Sequence, residues 1–318
     1  MSTTKLSASK LKILSDCSQK FYAQYVLKLP RTSNSGASRG TICHLIYECF
    51  LNKRHRKHYD LILAANNISG SPAIKRLVDK TAKKLNINDE ENLDLINIMV
   101  LSGMKFDFYC EGSLELHSEW EFNIKSEGKY NYHINGFIDK RAIYADDIIV
   151  FDYKSSKKRF QDHELDGNLQ ALTYALAVWK TSGVIPSTKF LFLRFPKKIE
   201  QVAPQLTIQQ LNGYEAYLDY ITKYISVFTE KDAATDLAYY DVKRRWLCGR
   251  NQSKNSKVWG CDAKFPFDYF ALISEDGQVI KTSMENDLQP KENQKVEKRF
   301  YAGCPAFQKK EGDNEDFF

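Results

Sequence analysis

Residues 133–154 constrain the fold of this chain more than any other stretch, because they predict two neighbouring strands joined by a tight turn. The first predicted strand runs from about His133 to Tyr144. The second runs from Ile148 to Lys154 and begins with the apolar, mostly β-branched sequence IIVF. The intervening Ala145-Asp146-Asp147 is typical of a turn, since aspartate can hydrogen-bond its own backbone there. The stretch therefore predicts an antiparallel pair of strands.

Three charged side chains lie on these strands. Asp152 and Lys154 end the second strand, and they point to the same face because successive side chains alternate. If Asp139 of the first strand lies beside them, two carboxylates and one ammonium converge. Paired carboxylates can hold a hard cation such as Mg²⁺, and a nearby lysine can orient or deprotonate a water. The pattern predicts a metal-dependent phosphodiester hydrolysis site, with a solvated surface ion pair as the alternative.

The order of these segments resembles a known family. Gly136-Phe137-Ile138-Asp139, an apolar strand, Asp152-Tyr153-Lys154-Ser155 and a helix bearing Gln170 and Tyr174 follow one another. This order resembles the PD-(D/E)XK nucleases, in particular their RecB-like exonuclease branch. The resemblance implies an α/β fold with a mixed central β-sheet flanked by helices, that is, a restriction-endonuclease-like core. It also implies a metal-dependent DNase.

An earlier helix adds a histidine to the expected site. Arg39-Gly40 opens the predicted helix TICHLIYECFLNKRHRK, in which His44 and Glu48 share one face because they lie four residues apart. The pattern Arg-Gly-x-x-x-His-x-x-x-Glu resembles the first motif of the family, and this implies that His44 is a metal ligand. Two roles remain open for Glu48. It could support the metal through a water molecule, or it could make an ordinary hydrogen bond on the helix surface.

The resemblance implies a full set of site residues. The expected catalytic residues are His44, Asp139, Asp152 and Lys154. The metal ligands would be His44, Asp139, Asp152 and the backbone carbonyl of Tyr153, around Mg²⁺ or Mn²⁺. The expected substrate-binding residues are Gln170, Tyr174, Lys157 and Arg39. Glu119 or Glu121, on the strand predicted over 114–124, could approach the site, although solvent-facing charge is the expectation for both.

The remaining elements predict one large domain with additions. We expect a single nuclease domain over residues 1–310, with a helical insertion at about 60–112. A C-terminal cysteine-containing region would cover about 241–308. The helix predicted over 163–180 and the strand over 188–195 predict a parallel crossover after the second motif strand. The acidic tail 311–318 is expected to be disordered.

The cysteines suggest a second cofactor. The chain has seven cysteines, an odd number that argues against a secreted disulfide framework. Cys17, Cys248, Cys261 and Cys304 have the one-plus-three layout of relatives that bind an iron–sulfur cluster, which requires thiolate ligands. The usual close Cys-x-x-Cys pair is missing, because Asp262-Ala263-Lys264 follows Cys261. Buried, unliganded thiols remain the alternative.

Charge and hydropathy define the expected setting. The net charge of +6 is mildly basic and does not by itself identify a nucleic-acid binder. No apolar run approaches the roughly 18 residues that span a bilayer, and the N-terminus lacks the apolar segment of a signal peptide. We therefore expect a cytoplasmic protein without a membrane partner.

The expected partner is DNA, as single strands or duplex ends. The resemblance implies exonuclease more than endonuclease action, with little sequence specificity, in DNA recombination, repair or replication. The tail EGDNEDFF resembles the acidic, Phe-ended tips of single-strand-binding proteins, which suggests a replication partner. A catalytically inactive DNA-binding or scaffolding protein and an RNA-directed nuclease of the same fold are the alternatives.

Overall fold

The computed structural model describes residues 5–31, 34–249 and 260–308, and the chain forms two compact units. The first unit contains Met1–Ala8 and Ser33–Lys223, and the second contains Ser9–Thr32 and Tyr224–Phe318. The prediction of one nuclease domain over residues 1–310 stays a prediction. The acidic tail, with its expected disorder and its replication partner, lies outside the described residues.

A six-stranded mixed sheet forms the centre of the first unit. Its strands are β1 (Lys5–Leu6), β2 (Glu115–Ser126), β3 (Tyr132–Ile143), β4 (Ile148–Lys154), β5 (Ser187–Phe192) and β6 (Glu200–Val202). Strands β2, β3 and β4 form an antiparallel meander, while β4 and β5 are parallel. The α/β fold class with a mixed sheet is confirmed, as are the predicted antiparallel pair β3–β4 and the parallel crossover from β4 to β5.

Helices cover this sheet and supply the expected insertion. They are α3 (Ser35–Leu51), α4 (Arg56–Ala65), α5 (Pro72–Lys84), α6 (Glu90–Lys105), α7 (Asp162–Leu165), α8 (Leu169–Ser182) and α9 (Ile208–Ser226), the last ending just beyond this unit. The helix predicted over 163–180 is divided into α7 and α8, because Gly167 adopts a left-handed φ of 66° between them. Asn168 then caps α8 by accepting the backbone N–H groups of Gln170 and Ala171.

The insertion helices share one apolar core with the sheet. Buried Ile42, Ile46 and Phe50 of α3 belong to the same cluster as Met99 of α6 and Phe151 of β4. Two polar groups buried in this core have hydrogen-bond partners. The hydroxyl of Tyr47 donates to the Met99 carbonyl at 2.7 Å, and Lys140 Nζ donates to the Phe108 carbonyl at 3.0 Å. This packing fixes α3 against the strands that carry the motif residues.

The second unit contains a smaller sheet that the sequence predicted only in part. Its helices are α1 (Ala8–Asp16, from Ser9 onward), α2 (Ser18–Phe21) and α10 (Glu230–Ala233), and a π-helical turn covers Tyr22–Val26. Its strands are β7 (Phe267–Ser274), β8 (Val279–Ser283) and β9 (Gln294–Tyr301), in the order β8-β7-β9. The stretch 269–283, with Glu275-Asp276-Gly277 at its centre, is typical of a hairpin in sequence, and it corresponds to the antiparallel pair β7 and β8. Strand β9 was not predicted, because its sequence is dominated by charged residues.

None of the helices that the structure describes is both long enough and apolar enough to cross a membrane.

Candidate active site

Helix α3 places His44 beside the end of β4. The helix begins with Asn34 as its cap, whose side chain accepts the Ala37 N–H. Gly40 permits a close approach, since a Cβ atom there would lie 2.9 Å from Ser155 Oγ. One turn later, His44 Nε2 lies 3.3 Å from the Tyr153 carbonyl oxygen. The Arg-Gly-x-x-x-His spacing therefore has a structural reason. The glycine lets α3 approach the end of β4, and the histidine one turn later then reaches that strand.

The contact with Tyr153 determines which nitrogen of His44 can bind a metal. A carbonyl oxygen only accepts hydrogen bonds, so Nε2 must carry the proton that it shares with Tyr153. Nδ1 of the neutral ring then carries the lone pair. This nitrogen faces Asp139 Oδ1 at 3.4 Å and Glu119 Oε1 at 3.9 Å. Such a backbone partner behind a histidine is typical of metal-ligating imidazoles, because it fixes the tautomer and the ring orientation.

The carboxylates of the site belong to three neighbouring strands. The β2–β3 register pairs Ser118 with Lys140 and Trp120 with Ile138, so Glu119 lies opposite Asp139. The β3–β4 ladder stops at Lys140 and Phe151, and continuing its register places Asp139 opposite Asp152. The strands separate at this point. The Tyr153 N–H, which has no ladder partner on β3, donates to Asp139 Oδ2 at 2.7 Å.

Glu119 is the residue that the sequence undervalued. It was expected to face solvent, yet its side chain is only 35% exposed and turns toward His44. Its backbone has a left-handed φ of 46°, which is unfavourable for a residue with a Cβ atom and, within a strand, is a form of strain that often accompanies a functional site. The position of Glu119 opposite Asp139 was the available signal, but it required the strand register. The left-handed φ could not be deduced from the sequence.

Three ligand atoms converge here as a divalent cation requires. Atoms of His44, Glu119 and Asp139 all lie within 4.8 Å of one another, and this is the one such group among the residues that the structure describes. The set places an imidazole lone pair and two carboxylates around one space, where they repel one another without a cation. A ligand set of one nitrogen and several oxygens suits Mn²⁺ or Mg²⁺, because both ions bind mainly to oxygen ligands. The residues therefore fit a divalent cation.

The electrostatics support the same conclusion. Burial raises the pKa of Asp139 well above its usual value, and repulsion from Asp152 and Glu119 adds to this, despite the Tyr153 N–H and Lys154. Burial likewise raises the pKa of Glu119, with repulsion from Glu48 and Asp152 and an opposing effect of His44. The site thus holds more negative charge than the protein neutralises, and a bound cation would offset it.

Asp152 also belongs to a hydrogen-bonded group that it forms with Lys154 and with two residues of α8. Its Oδ2 lies 2.7 Å from Lys154 Nζ, and its Oδ1 accepts from the Tyr174 hydroxyl at 3.0 Å and from Gln170. The Gln170 amide also accepts from Lys154 and lies 2.6 Å from the Tyr174 hydroxyl. Helix α8 therefore fixes both the carboxylate and the ammonium of the Asp-x-Lys motif. Gln170 and Tyr174, which were predicted to bind substrate, both contact Asp152 in this structure.

The other predicted site residues lie in different surroundings. The Tyr153 carbonyl, expected as a metal ligand, is in contact with His44. Arg39 is 6% exposed and donates to the Asn92 side chain of α6, which makes it an anchor between helices. Lys157 is exposed in the loop after β4. Glu48 lines the open cleft of about 520 Å³ that His44 and Glu119 also border. This cleft therefore leads from solvent to His44 and Glu119, two of the three converging residues.

A family comparison agrees with this geometry. The model of the PD-(D/E)XK nuclease superfamily matches residues 5–250, which include every strand of the large sheet. The chain belongs to the PD-(D/E)XK nuclease superfamily. The resemblance noted in the motifs is thereby confirmed, and hydrolytic nuclease activity is the activity of this superfamily. PD-(D/E)XK nucleases use divalent metals, in agreement with the donor set above.

One solved structure has a fold similar to that of this nuclease. A crystal structure described as a "Putative exonuclease" from Eubacterium rectale is 9% identical in sequence and has a TM-score of 0.44. The match covers 80% of this nuclease and 91% of the other chain. No curated protein matches the sequence.

The second unit of the nuclease gathers the four cysteines singled out in the sequence. Cys17 and Cys304 are buried in one apolar cluster, and Cys248 packs against it. The Cys261 N–H donates to the Cys248 carbonyl at 3.4 Å. Burial raises the pKa of the Cys304 thiol to about 11, with further contributions from the other three thiols. The four thiols, although far apart in the sequence, are therefore close enough in the fold to affect the pKa of Cys304.

Proposed function

We propose that this nuclease is a Mg²⁺- or Mn²⁺-dependent deoxyribonuclease that removes nucleotides from DNA ends with little sequence specificity. The observation that carries the proposal is the convergence of His44, Glu119 and Asp139 next to the Asp152–Lys154 pair, where β3 and β4 separate. The preference for exonuclease action rests on the resemblance to the RecB-like branch and not on any single residue of this chain. Recombination, repair or replication of DNA is the proposed setting.

The proposed chemistry divides the site into two parts. His44, Glu119 and Asp139 would hold the cation, which when bound polarises the phosphate and lowers the pKa of an attacking water. Lys154 is held 2.7 Å from Asp152, so its ammonium is ready to orient that water or to stabilise charge on the phosphate. Gln170 keeps the Lys154 side chain in place through its amide oxygen. Asp152 and the Tyr153 carbonyl are proposed as further ligands.

Labelled substrates test the proposal directly. The full-length chain is incubated with single-stranded DNA, duplex DNA and RNA, each with Mg²⁺, Mn²⁺ or EDTA. We expect stepwise shortening of DNA from its ends with either metal and none in EDTA. Cleavage of a circular DNA would show endonuclease action instead, and cleavage of RNA alone would favour the RNA-directed alternative. Binding without cleavage under all conditions would favour the inactive scaffold.

The Glu119→Gln substitution tests the composition of the metal site. It removes the charge of one ligand and keeps its shape, so we expect the affinity for Mn²⁺ to fall at least about 10–100-fold, the loss typical even of groups that only support a ligand. Titration calorimetry with Mn²⁺ measures this change without reference to activity. Glu121→Gln is the matched control, because Glu121 lies two residues further along β2 and is exposed. Equal Mn²⁺ affinity in both variants would remove Glu119 from the site.

We further propose that Cys17, Cys248, Cys261 and Cys304 hold an iron–sulfur cluster. Among the described residues, no three of these thiols lie within 4.8 Å of one another. Tetrahedral zinc, with Zn–S bonds of about 2.3 Å, requires sulfur atoms about 4 Å apart. Cys17, Cys261 and Cys248 each add to the raised pKa of Cys304, and this supports four neighbouring thiols, the ligand set of an iron–sulfur cluster.

Colour and absorbance test the cluster. Anaerobically purified protein is expected to be brown, with a broad absorbance in the blue that Cys304→Ser strongly reduces. Cys49→Ser is the matched control, since Cys49 is a partly exposed thiol of α3 outside the set. A colourless wild-type protein with no bound iron would contradict this assignment and leave the nuclease proposal intact.

A further inference from the structure

The second unit contains a cleft lined by cations. It lies between the segment that ends the π-helical turn and strand β8, and has a volume of about 410 Å³. Its charged lining residues are Lys28, Arg31 and Lys281, and no carboxylate is among the described residues that line it. Asp262 borders a smaller cavity beside it. We call this feature, lined also by Gln24 and Tyr25, the basic cleft.

The walls of the basic cleft are fixed by backbone contacts. Lys28 adopts a left-handed φ of 54°, and the following Leu29 N–H donates to the Ala23 carbonyl at 2.8 Å, which ends the helical turn. The Lys28 ammonium donates to the Val279 carbonyl, and the Thr282 hydroxyl donates to the Lys28 carbonyl. These contacts join the segment to β8. The cations are therefore presented by a formed site, which lowers the entropic cost of binding an anion.

Two further features point to a nucleotide strand. The Arg31 guanidinium lies 5.5 Å from the centre of the Tyr25 ring, a cation–π contact that orients it. The buried Gln24 Oε1 has no hydrogen-bond partner among the described residues. A nucleotide has a group for each of these features. Its phosphate binds the cations, and its base or sugar supplies a hydrogen-bond donor for the Gln24 amide oxygen. An inorganic anion would satisfy only the cations.

A purely structural role explains part of this arrangement. Cations that follow a helix, such as Lys28 and Arg31, stabilise its terminal carbonyls. Lys281 does not fit that role, because it projects from β8 on the opposite wall. The positive charge on both walls therefore favours a bound anion.

We propose that the basic cleft binds the phosphodiester backbone of the DNA strand that the nuclease cleaves. The inference rests on the proposed DNase function and adds a substrate-binding site in the unit that does not carry the catalytic residues. Phosphate contacts of this kind give affinity without sequence specificity, and they are salt-dependent because binding releases counterions.

The experiment measures binding and its salt dependence. The double substitution Arg31→Gln with Lys281→Gln is made in the full-length chain. Fluorescence anisotropy with a labelled single-stranded DNA of about 30 nucleotides, longer than one binding fold covers, is recorded in EDTA. Loss of two phosphate contacts should lower the slope of log K against log salt by about 1.4, at about 0.7 per phosphate of a single strand. We expect at least a tenfold loss of affinity at low salt.

Lys298→Gln is the matched control, since Lys298 is an exposed cation of β9 in the same unit, paired with Asp268 outside the basic cleft. It should leave the slope unchanged. The metal-dependent hydrolysis of bis(p-nitrophenyl) phosphate, a substrate too small to reach a second site, should be unchanged in the double variant. The single variant Lys281→Glu, at an exposed strand position, repeats the test should the double variant melt at a lower temperature.

The outcomes separate this inference from the proposed function. A double variant that keeps both the affinity and the salt slope overturns the basic cleft as a DNA site, even if the wild type cleaves DNA. A wild-type chain that neither binds nor cleaves DNA overturns the proposed function, and the inference with it. A slope that changes for RNA but not for DNA also overturns the inference as stated.

Discussion

Asp139→Asn is expected to abolish cleavage and at the same time to raise the melting temperature of the metal-free protein. Metal catalysis contributes several kcal/mol, so loss of a central ligand should lower kcat by at least about 10²–10³-fold. The gain in stability has a separate cause. Burial and repulsion from Asp152 raise the pKa of Asp139, which means that its charged form is disfavoured in the folded state. Asparagine removes that charge, and its oxygen can still accept the Tyr153 N–H.

The pH dependence follows from the sign of the shift. A carboxyl group whose pKa is higher in the folded state penalises folding whenever it is ionised. Metal-free wild-type protein should therefore lose stability as the pH rises from about 4, the ordinary pKa of aspartate, through the raised pKa of Asp139. The Asn variant should show less of this loss. Each kcal/mol recovered corresponds to a rise in melting temperature of about 2–4 °C for a domain of about 150–250 residues, a range that includes the first unit.

Differential scanning calorimetry across pH, with and without Mn²⁺, measures both effects. Added Mn²⁺ should raise the melting temperature of the wild type increasingly at higher pH, because the ligands must be deprotonated to bind it. The Asn variant should respond much less. Asp147→Asn, in the turn between β3 and β4, is the control for loss of one negative charge close in sequence. A variant that is less stable than the wild type at neutral pH would contradict this account of Asp139.

Lys154→Met is the second substitution for which we expect a large effect. Methionine keeps much of the length of the side chain and removes the ammonium that lies 2.7 Å from Asp152. Loss of a positioned proton donor or of a charge that stabilises the transition state typically costs about 10²–10³-fold in kcat. The affinity for Mn²⁺ should change little, because lysine is not a ligand. Single-turnover cleavage at saturating metal, together with Mn²⁺ titration, separates the two effects.

Lys189→Met is the matched control for that substitution. Lys189 lies on the adjacent strand β5 and pairs with Glu200 at 2.7 Å, away from the proposed ligands. Its replacement should leave kcat within a few-fold of the wild type. Retention of more than a tenth of wild-type kcat in Lys154→Met would assign the lysine a structural role, limited to holding Asp152 and Gln170.

The contacts of Asp152 bear on whether the Asp-x-Lys motif serves catalysis. Asp152 is 3% exposed and accepts contacts from Lys154, Gln170 and Tyr174. A buried carboxylate of this kind is stable only when its partners are present. Gln170 and Tyr174 of α8 thus provide the hydrogen bonds that stabilise the Asp152–Lys154 pair at the end of β4. This arrangement favours a catalytic use over an inactive scaffold, and the substitutions above test it.

Much of the fold could be predicted from local sequence. The β-branched run before Asp152 predicted β4 with the bounds that the structure has, 148–154, because strand preference and alternation are properties of neighbouring residues. Spacing alone placed His44 and Glu48 on one helix face. In contrast, the charged sequence of β9 gave no strand signal, because that strand forms only through pairing with β7.

The candidate site shows the same division more sharply. The sequence by itself determined the residue types, the superfamily and the four chemical groups His44, Asp139, Asp152 and Lys154. Only the tertiary structure decided that Glu119 lies opposite Asp139 and that Asp152 contacts α8. The physical reason is that side-chain identity is local, whereas strand register and the separation of β3 from β4 depend on contacts between residues distant in the sequence.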